Sequence, residues 1–170
     1  MAQPLVGIVL GSDSDLPRMN ECRRVLDDFG VRGEMRILSA HRVPDEVARY
    51  GREARGRGLK VLVAGAGLAA HLPGVLAAYT TLPVIGVPLA AGALNGLDAL
   101  YAIVQMPPGV PVATVGIDGA RNAGLLAVQI LALSDPQLAG RLAAYKQEMA
   151  EAVRRKDLAL AQSHEEEAQA

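Results

Sequence analysis

The chain has 170 residues, with 17 basic and 18 acidic side chains and a formal net charge of −1 at pH 7. This is the length of one ordinary domain, and the balanced charge argues against an electrostatic nucleic-acid binder or a polybasic membrane-surface protein. A single cysteine excludes an intrachain disulfide and, with only three histidines, disfavours a closed zinc site.

The first half of the chain predicts strands and helices in alternation. Val6–Leu10 is a short β-branched run followed by Gly11, which predicts a strand. Asp15–Phe29 carries an apolar stripe at helical spacing and stops before Gly30. The other predicted elements of this half are a strand at Glu34–Leu38, a surface helix at Pro44–Arg57, a strand at Val61–Ala64 and a helix at Leu72–Thr80.

The second half continues the alternation. Its predicted elements are strands at Val84–Val87 and Val110–Val115 and helices at Leu97–Val104, Ala120–Leu133 and Pro136–Leu160. Five strands alternating with helices predict a parallel sheet with right-handed crossovers, in a flavodoxin-like three-layer α/β sandwich with a long C-terminal helix. We expect residues 1–160 to be a single catalytic domain and residues 161–170 to be a polar, frayed tail.

The middle of the chain carries no formally charged residue from Val61 to Leu97. Glycines and prolines interrupt this stretch, so it is not read as a membrane span but as central strands buried on both faces. An uncharged stretch of this length in a small protein predicts that part of its surface is buried against other copies of the chain, in a homo-oligomer. The N-terminus reads as a strand rather than a signal peptide, and the single cysteine fits a cytoplasmic location.

Ligands bind open α/β sheets outside the carboxyl ends of the strands, so the loops there are the candidate sites. The first loop, GSDSD at Gly11–Asp15, leads into a helix N-terminus. Free backbone N–H groups and the Ser12 hydroxyl suit a phosphate there, and the Asp15 carboxylate suits ribose hydroxyls. The alternative interpretation is a Ser/Asp helix cap without a ligand.

The next two loops add an imidazole each. In SAHRVP, Arg42 can bind phosphate oxygens bidentately and His41 can transfer protons near neutral pH. In AGAGLAAHLPG, Gly65 and Gly67 allow close approach of a ligand or of backbone, and His71 opens a helix in an uncharged surrounding. A surface loop and a structural histidine remain the alternatives for these two motifs.

The last two loops are less informative. Asn95 is the long polar side chain of the fourth loop, and Asp118, Arg121 and Asn122 in the fifth can cap a helix or contact a neighbour. Two related classes of this shape are disfavoured. A response-regulator receiver needs an aspartate at the end of the third strand, where this chain has Gly65–Gly67, and a flavodoxin needs stacking aromatics, which are scarce here.

Taken together, GSDSD, SAHRVP and AGAGLAAHLPG resemble the motifs of the N5-carboxyaminoimidazole ribonucleotide mutase family of purine biosynthesis, and the resemblance runs over about Val6–Leu133. It implies a flavodoxin-like fold assembled as a homo-octamer with active sites at subunit junctions. It also implies a reaction without metal or organic cofactor, in which a carboxylate moves from the exocyclic nitrogen of an aminoimidazole to ring carbon C4.

The resemblance also implies the roles of individual residues: phosphate binding by Ser12, Ser39 and Arg42, ribose binding by Asp15, proton transfer by His41, and a carboxyl pocket lined by Gly67, His71 and Leu72. The chain departs from the family pattern at Leu68, usually glycine, at the Ala90–Ala91 pair and at Pro108. Two alternatives stay open. One is direct carboxylation of aminoimidazole ribonucleotide by carbon dioxide, in a related class that typically has lysine in place of Arg42; the other is a non-catalytic nucleotide-binding module.

Overall fold

The computed structural model describes residues 3–168. Five parallel strands form a sheet in the order β2-β1-β3-β4-β5, with β1 at Val6–Leu10, β2 at Gly33–Ile37, β3 at Val61–Gly67, β4 at Val84–Leu89 and β5 at Ala113–Thr114. Helices follow the strands in the order expected of an α/β sandwich. The predicted flavodoxin-like fold class is confirmed, and the carboxyl ends of all five strands meet at one edge of the sheet.

Five helices cover both faces of the sheet: α1 at Leu16–Asp28, α2 at Pro44–Ala54, α3 at Leu72–Tyr79, α4 at Leu97–Val104 and α5 at Ala120–Ala132. A sixth helix, α6, spans Pro136–Ala168. Helices α2, α3 and α4 share one buried cluster with Val9 and Leu62 of the central strands. Helices α1 and α5 contact each other on the opposite face, where a Cβ added at Gly124 would lie 2.9 Å from the Cys22 carbonyl oxygen.

The helices approach the sheet closely because its central strands carry glycine where a helix side chain crosses. A Cβ added at Gly86 would collide with Ile103 of α4 and lie 2.9 Å from Val112. A Cβ added at Gly65 would collide with the sulfur of Met19 on α1. The space beside Gly65 is therefore filled by a helix side chain, not by a ligand or another backbone.

Four of the five strands differ from the sequence prediction. Strand β2 lies one residue earlier than the predicted Glu34–Leu38, and β4 continues past Val87 to Leu89. The larger differences are in β3 and β5. Strand β3 continues beyond Ala64 to Gly67, because its pairing with β4 extends to Gly67 opposite Leu89 even though small residues have low strand propensity. Strand β5 is shortened to Ala113–Thr114, because at the sheet edge it pairs only with two residues of β4.

The chain divides into two compact units, one that ends at Leu131 and one that begins at Ala132. In the second unit, the Asp135 carboxylate accepts hydrogen bonds of 3.0 Å from the N–H groups of Gln137 and Leu138 and so caps α6. Helix α6 runs past the predicted end at Leu160 to Ala168, so residues 161–168 of the expected tail are helical, while 169–170 lie outside the described residues. Within residues 3–168, no helix has both the length and the apolar character that crossing a membrane demands.

Candidate active site

A cavity of about 370 Å³ opens at the carboxyl edge of the sheet, between the loops that follow β1, β2, β3 and β4. Each of the eight site residues predicted from the sequence lines it: Ser12, Asp15, Ser39, His41, Arg42, Gly67, His71 and Leu72. Its lining also includes Gly11, Ser14, Ala40, Ala66, Leu68, Ala69 and Ala91. The structure thus brings together residues that lie up to eighty positions apart in the sequence, from Gly11 to Ala91.

The loop after β1 forms a 3-10 turn at Asp13–Asp15 that leads into α1. The Ser12 hydroxyl oxygen accepts hydrogen bonds from the Ser14 N–H at 3.3 Å and the Ser14 hydroxyl at 2.9 Å, and its own proton is donated to Asp13 at 3.1 Å. Ser12 therefore caps this turn as the alternative interpretation proposed, and it also faces the cavity. The two interpretations of this loop are compatible.

The position of Asp15 in the cavity wall destabilises its ionised carboxylate. Burial raises the pKa of its carboxyl group above the ordinary value, against a backbone hydrogen bond at Ser12 and the nearby Arg18 guanidinium, which lower it. A carboxylate that has lost hydration without recovering full hydrogen bonding is destabilised until donors reach it. The hydroxyls of a bound sugar would supply such donors.

We expect Asp15→Asn to raise the melting temperature at pH 7 and to raise it less as the pH falls. Because the folded-state pKa is raised, the wild-type carboxyl contributes stability at low pH, where it is protonated, and loses that contribution as the pH rises through the folded pKa. Thermal unfolding from pH 7 into the acidic range measures the difference in melting temperature between Asp15→Asn and wild type. Asp13→Asn, at an exposed position of the same turn, is the control, and an equal gain at pH 7 and in acid would contradict the explanation.

The loop after β2 is a tight turn that presents two polar side chains to the cavity. The Ser39 carbonyl oxygen accepts hydrogen bonds from the N–H groups of Arg42 at 3.3 Å and Val43 at 2.9 Å. This turn places the Ser39 hydroxyl and the Arg42 guanidinium on the same short segment, immediately before α2 begins at Pro44. Such a segment can bind an anion through both side chains.

The two imidazoles are hydrogen-bonded to each other. Nε2 of His41 lies 2.8 Å from Nδ1 of His71, and the ring planes are 82° apart. One of these nitrogens carries the proton and the other accepts it, so the tautomers of the two rings are linked. This pairing joins residues thirty positions apart, and no sequence motif indicated it.

The remaining cavity wall is small and mostly apolar. Gly67 ends β3 beside the loop after β4, and a Cβ added at Gly67 would lie 3.1 Å from the Ala91 Cβ. Ala66, Ala69 and Leu72 continue this wall. Close to the imidazole pair the cavity can therefore hold a small neutral molecule in apolar surroundings.

Asp118, which the sequence left open between a cap and a contact, fixes the loop after β4. Its carboxylate accepts a hydrogen bond of 2.9 Å from the Ala90 N–H and pairs with Arg18 of α1 at 3.0 Å, and its own N–H donates to the Pro88 carbonyl oxygen. It therefore holds Ala91 in the cavity wall without lining the cavity itself. Asn95 likewise is not among the lining residues.

Cys22 does not supply a nucleophile, because its thiol is buried in α1 and burial raises its pKa to about 12. The chemistry available in the cavity is therefore that of hydroxyl, carboxylate, guanidinium and imidazole groups. Across the described range 3–168, no three His, Cys, Asp or Glu side chains are grouped as metal ligands.

Comparison with known proteins gives consistent matches. A family model described as AIR carboxylase matches residues 5–152. The N5-carboxyaminoimidazole ribonucleotide mutase of Pyrococcus abyssi is 58% identical over 149 residues, which are 88% of this chain and 86% of that protein. The protein of the same name from Mycobacterium tuberculosis is 54% identical over 158 residues, 93% of this chain and 91% of that one.

A longer relative and two solved structures extend the comparison. The phosphoribosylaminoimidazole carboxylase of Schizosaccharomyces pombe is 53% identical over 150 residues, 88% of this chain but 27% of that protein. The crystal structure of Treponema denticola PurE superposes with a TM-score of 0.83 at 29% identity, covering 91% of this chain and 97% of that one. A PurE2 variant from the same organism gives 0.84 at 28% identity, with coverages of 92% and 97%. The chain therefore belongs to the AIR carboxylase family, as its three loop motifs predicted.

Proposed function

We propose that this protein is the purine-biosynthesis mutase that converts N5-carboxyaminoimidazole ribonucleotide into 4-carboxy-5-aminoimidazole ribonucleotide. The observation that carries the proposal is that one cavity joins groups suited to a phosphate with a hydrogen-bonded pair of imidazoles and an apolar wall. Relatives that share 58% and 54% of the aligned residues bear the name of this mutase.

The phosphate of the ribonucleotide binds at Ser12, Ser39 and Arg42. Support comes from the turn after β2, which places the Ser39 hydroxyl close along the chain to a guanidinium, the side chain best shaped for bidentate binding of phosphate oxygens. Ser12 adds a hydroxyl from the loop after β1. The ribose hydroxyls donate to the half-buried Asp15 carboxylate, which offsets its partial loss of hydration.

In the chemical step, one proton is added to the substrate and one is removed, so a single acid–base group can carry out both transfers. The bond between nitrogen and the carboxyl carbon breaks, its electron pair stays on nitrogen, and the nitrogen takes up a proton as carbon dioxide is released. Ring carbon C4 then forms a bond to the carbon dioxide, and the C4 proton leaves. We assign both proton transfers to His41, which ends in its starting state, with His71 fixing its tautomer and orientation.

The apolar wall holds carbon dioxide between its release from nitrogen and its bonding to C4. The side chains of Leu72 and the neighbouring alanines, and the bare Gly67, offer the gas no side-chain hydrogen bond. Holding the gas beside C4 makes the second bond formation effectively unimolecular. No metal or organic cofactor is required for this balance.

An isotope-free assay tests the proposal directly. The purified protein is given either N5-carboxyaminoimidazole ribonucleotide or aminoimidazole ribonucleotide with bicarbonate, and the product is followed by its absorbance. We expect rapid conversion of the first substrate only. Conversion of the second alone would support direct carboxylation, the alternative that the names of the family model and the Schizosaccharomyces pombe relative suggest. Binding without conversion of either would support a nucleotide-binding module.

A homo-octamer with active sites at subunit junctions belongs to the same proposal. Helix α4 supports it, because Leu97, Tyr101 and Val104 are 43%, 54% and 51% exposed in the single chain. We expect Tyr101→Glu with Val104→Glu to lower the molar mass measured by light scattering, and Arg23→Glu on α1 to leave it unchanged. An octamer that survives the double substitution would move the interface elsewhere. A cytoplasmic location is also proposed, since the one cysteine is a buried free thiol.

A further inference from the structure

Leu68 has a backbone conformation that its own packing does not explain. Its φ is +53°, in the left-handed region that leucine rarely adopts because its Cβ crowds the following carbonyl group. Strain of this kind persists only where the surrounding structure imposes it, and it clusters at active sites and ligand clamps. Burial in the core does not impose it here, because the Leu68 side chain is 53% exposed. The strain at this position is therefore not repaid by the hydrophobic core.

The Leu68 side chain spans the gap between two loops of the cavity. Leu68 follows Gly67 at the end of β3 and lines the cavity, and its Cδ2 lies directly over Gly92 in the loop after β4. A Cβ added at Gly92 would lie 2.7 Å from that carbon, so the neighbouring loop has no room for a side chain there. Leu68 thus closes the cavity wall between the loops after β3 and β4, next to Ala91.

We propose that Leu68 retains the freed carbon dioxide in the cavity, an inference that rests on the proposed function. Between cleavage of the nitrogen–carboxyl bond and formation of the C4–carbon bond, carbon dioxide is attached to neither atom. It either reacts with C4 or escapes, leaving aminoimidazole ribonucleotide behind. An apolar side chain across the gap slows escape without offering the gas a competing hydrogen bond.

Three variants separate the side chain of Leu68 from its backbone strain. Leu68→Ala removes the wall and keeps a residue that is strained at positive φ. Leu68→Gly removes the wall and the strain together, because glycine adopts this conformation freely. Leu68→Met keeps an apolar side chain of similar volume at the same strain, and serves as the conservative control.

The experiment follows the carboxyl carbon. N5-carboxyaminoimidazole ribonucleotide labelled with ¹³C in the carboxyl group is converted in unlabelled bicarbonate with carbonic anhydrase present, so that escaped label is diluted. Mass spectrometry early in the reaction gives the labelled product, which counts retained label, and the aminoimidazole ribonucleotide together with any unlabelled product, which count lost label. A sample without enzyme gives the uncatalysed background. We expect the ratio of lost to retained label to rise severalfold in Leu68→Ala and Leu68→Gly and to stay near the wild-type ratio in Leu68→Met.

Thermal unfolding of the same variants provides an independent reading. Leu68→Gly should melt above Leu68→Ala although both lose label equally, because stability follows the backbone and retention follows the side chain. Equal retention in wild type and Leu68→Ala would overturn the inference and leave the mutase assignment intact. Failure of the wild-type protein to form any product from this substrate would overturn the proposed function and the inference with it.

Discussion

Replacing His41 with asparagine is expected to lower turnover by about 10²–10⁴-fold, the typical contribution of one positioned acid–base group. The amide of the introduced asparagine cannot accept and return a proton. The change leaves in place Ser12, Arg42 and Asp15, the residues proposed to bind the phosphate and the ribose. Binding of the ribonucleotide, measured by calorimetry, should therefore stay close to wild type while kcat falls.

The matched control is His164→Asn, because His164 is not among the residues lining the cavity. It should leave kcat unchanged. Turnover of His41→Asn within about tenfold of wild type would remove His41 from the proton transfer. His71, as the hydrogen-bond partner of His41, would then be the next candidate.

Replacing Arg42 with alanine is expected to raise KM by about 10–100-fold with a smaller change in kcat, since hydrogen bonds to a charged group contribute about 1.5–3 kcal/mol. The phosphate lies away from the reacting atoms of the substrate. Loss of its contact with Arg42 should therefore weaken substrate binding more than it slows the chemical step. Arg42→Lys should recover part of the affinity, because lysine keeps the charge but not the bidentate geometry.

Arg49→Ala on α2 is the control for loss of an arginine at an exposed position outside the cavity lining. A second comparison uses the dephosphorylated nucleoside as ligand. Wild type and Arg42→Ala should bind the nucleoside with similar affinity, since the contact in question is with the phosphate. If Arg42→Ala bound the ribonucleotide as tightly as wild type does, another group would have to hold the phosphate.

The sequence predicted an element accurately where its hydrophobic pattern and its local stop signals agree. Strand β1 and helix α4 begin and end at the predicted residues, Val6–Leu10 and Leu97–Val104. The end of β3 was missed because Gly65, Ala66 and Gly67 have little intrinsic preference for a strand, and pairing with β4 decides their conformation. Such pairing is a long-range property that a local pattern does not contain.

The candidate site follows the same division. Its eight residues could be predicted to lie together because parallel strands deliver their following loops to one edge of the sheet. The hydrogen bond between His41 and His71 and the left-handed backbone of Leu68 could not, because both depend on the angles at which loops from different strands meet. Asp118 is a similar case, since its partners Arg18 and Ala90 are contributed by α1 and the loop after β4.

The close contacts at Gly65 and Gly86 limit which substitutions can stabilise this protein, because neither position has room for a Cβ. Exchanging glycine for alanine is a common way to reduce the freedom of an unfolded chain, but here it would push Met19 or Ile103 off the sheet. Gly140 in α6 has open space around it and no such neighbour. Glycine-to-alanine substitutions intended to raise the melting temperature should therefore begin in α6 and leave the glycines of the sheet unchanged.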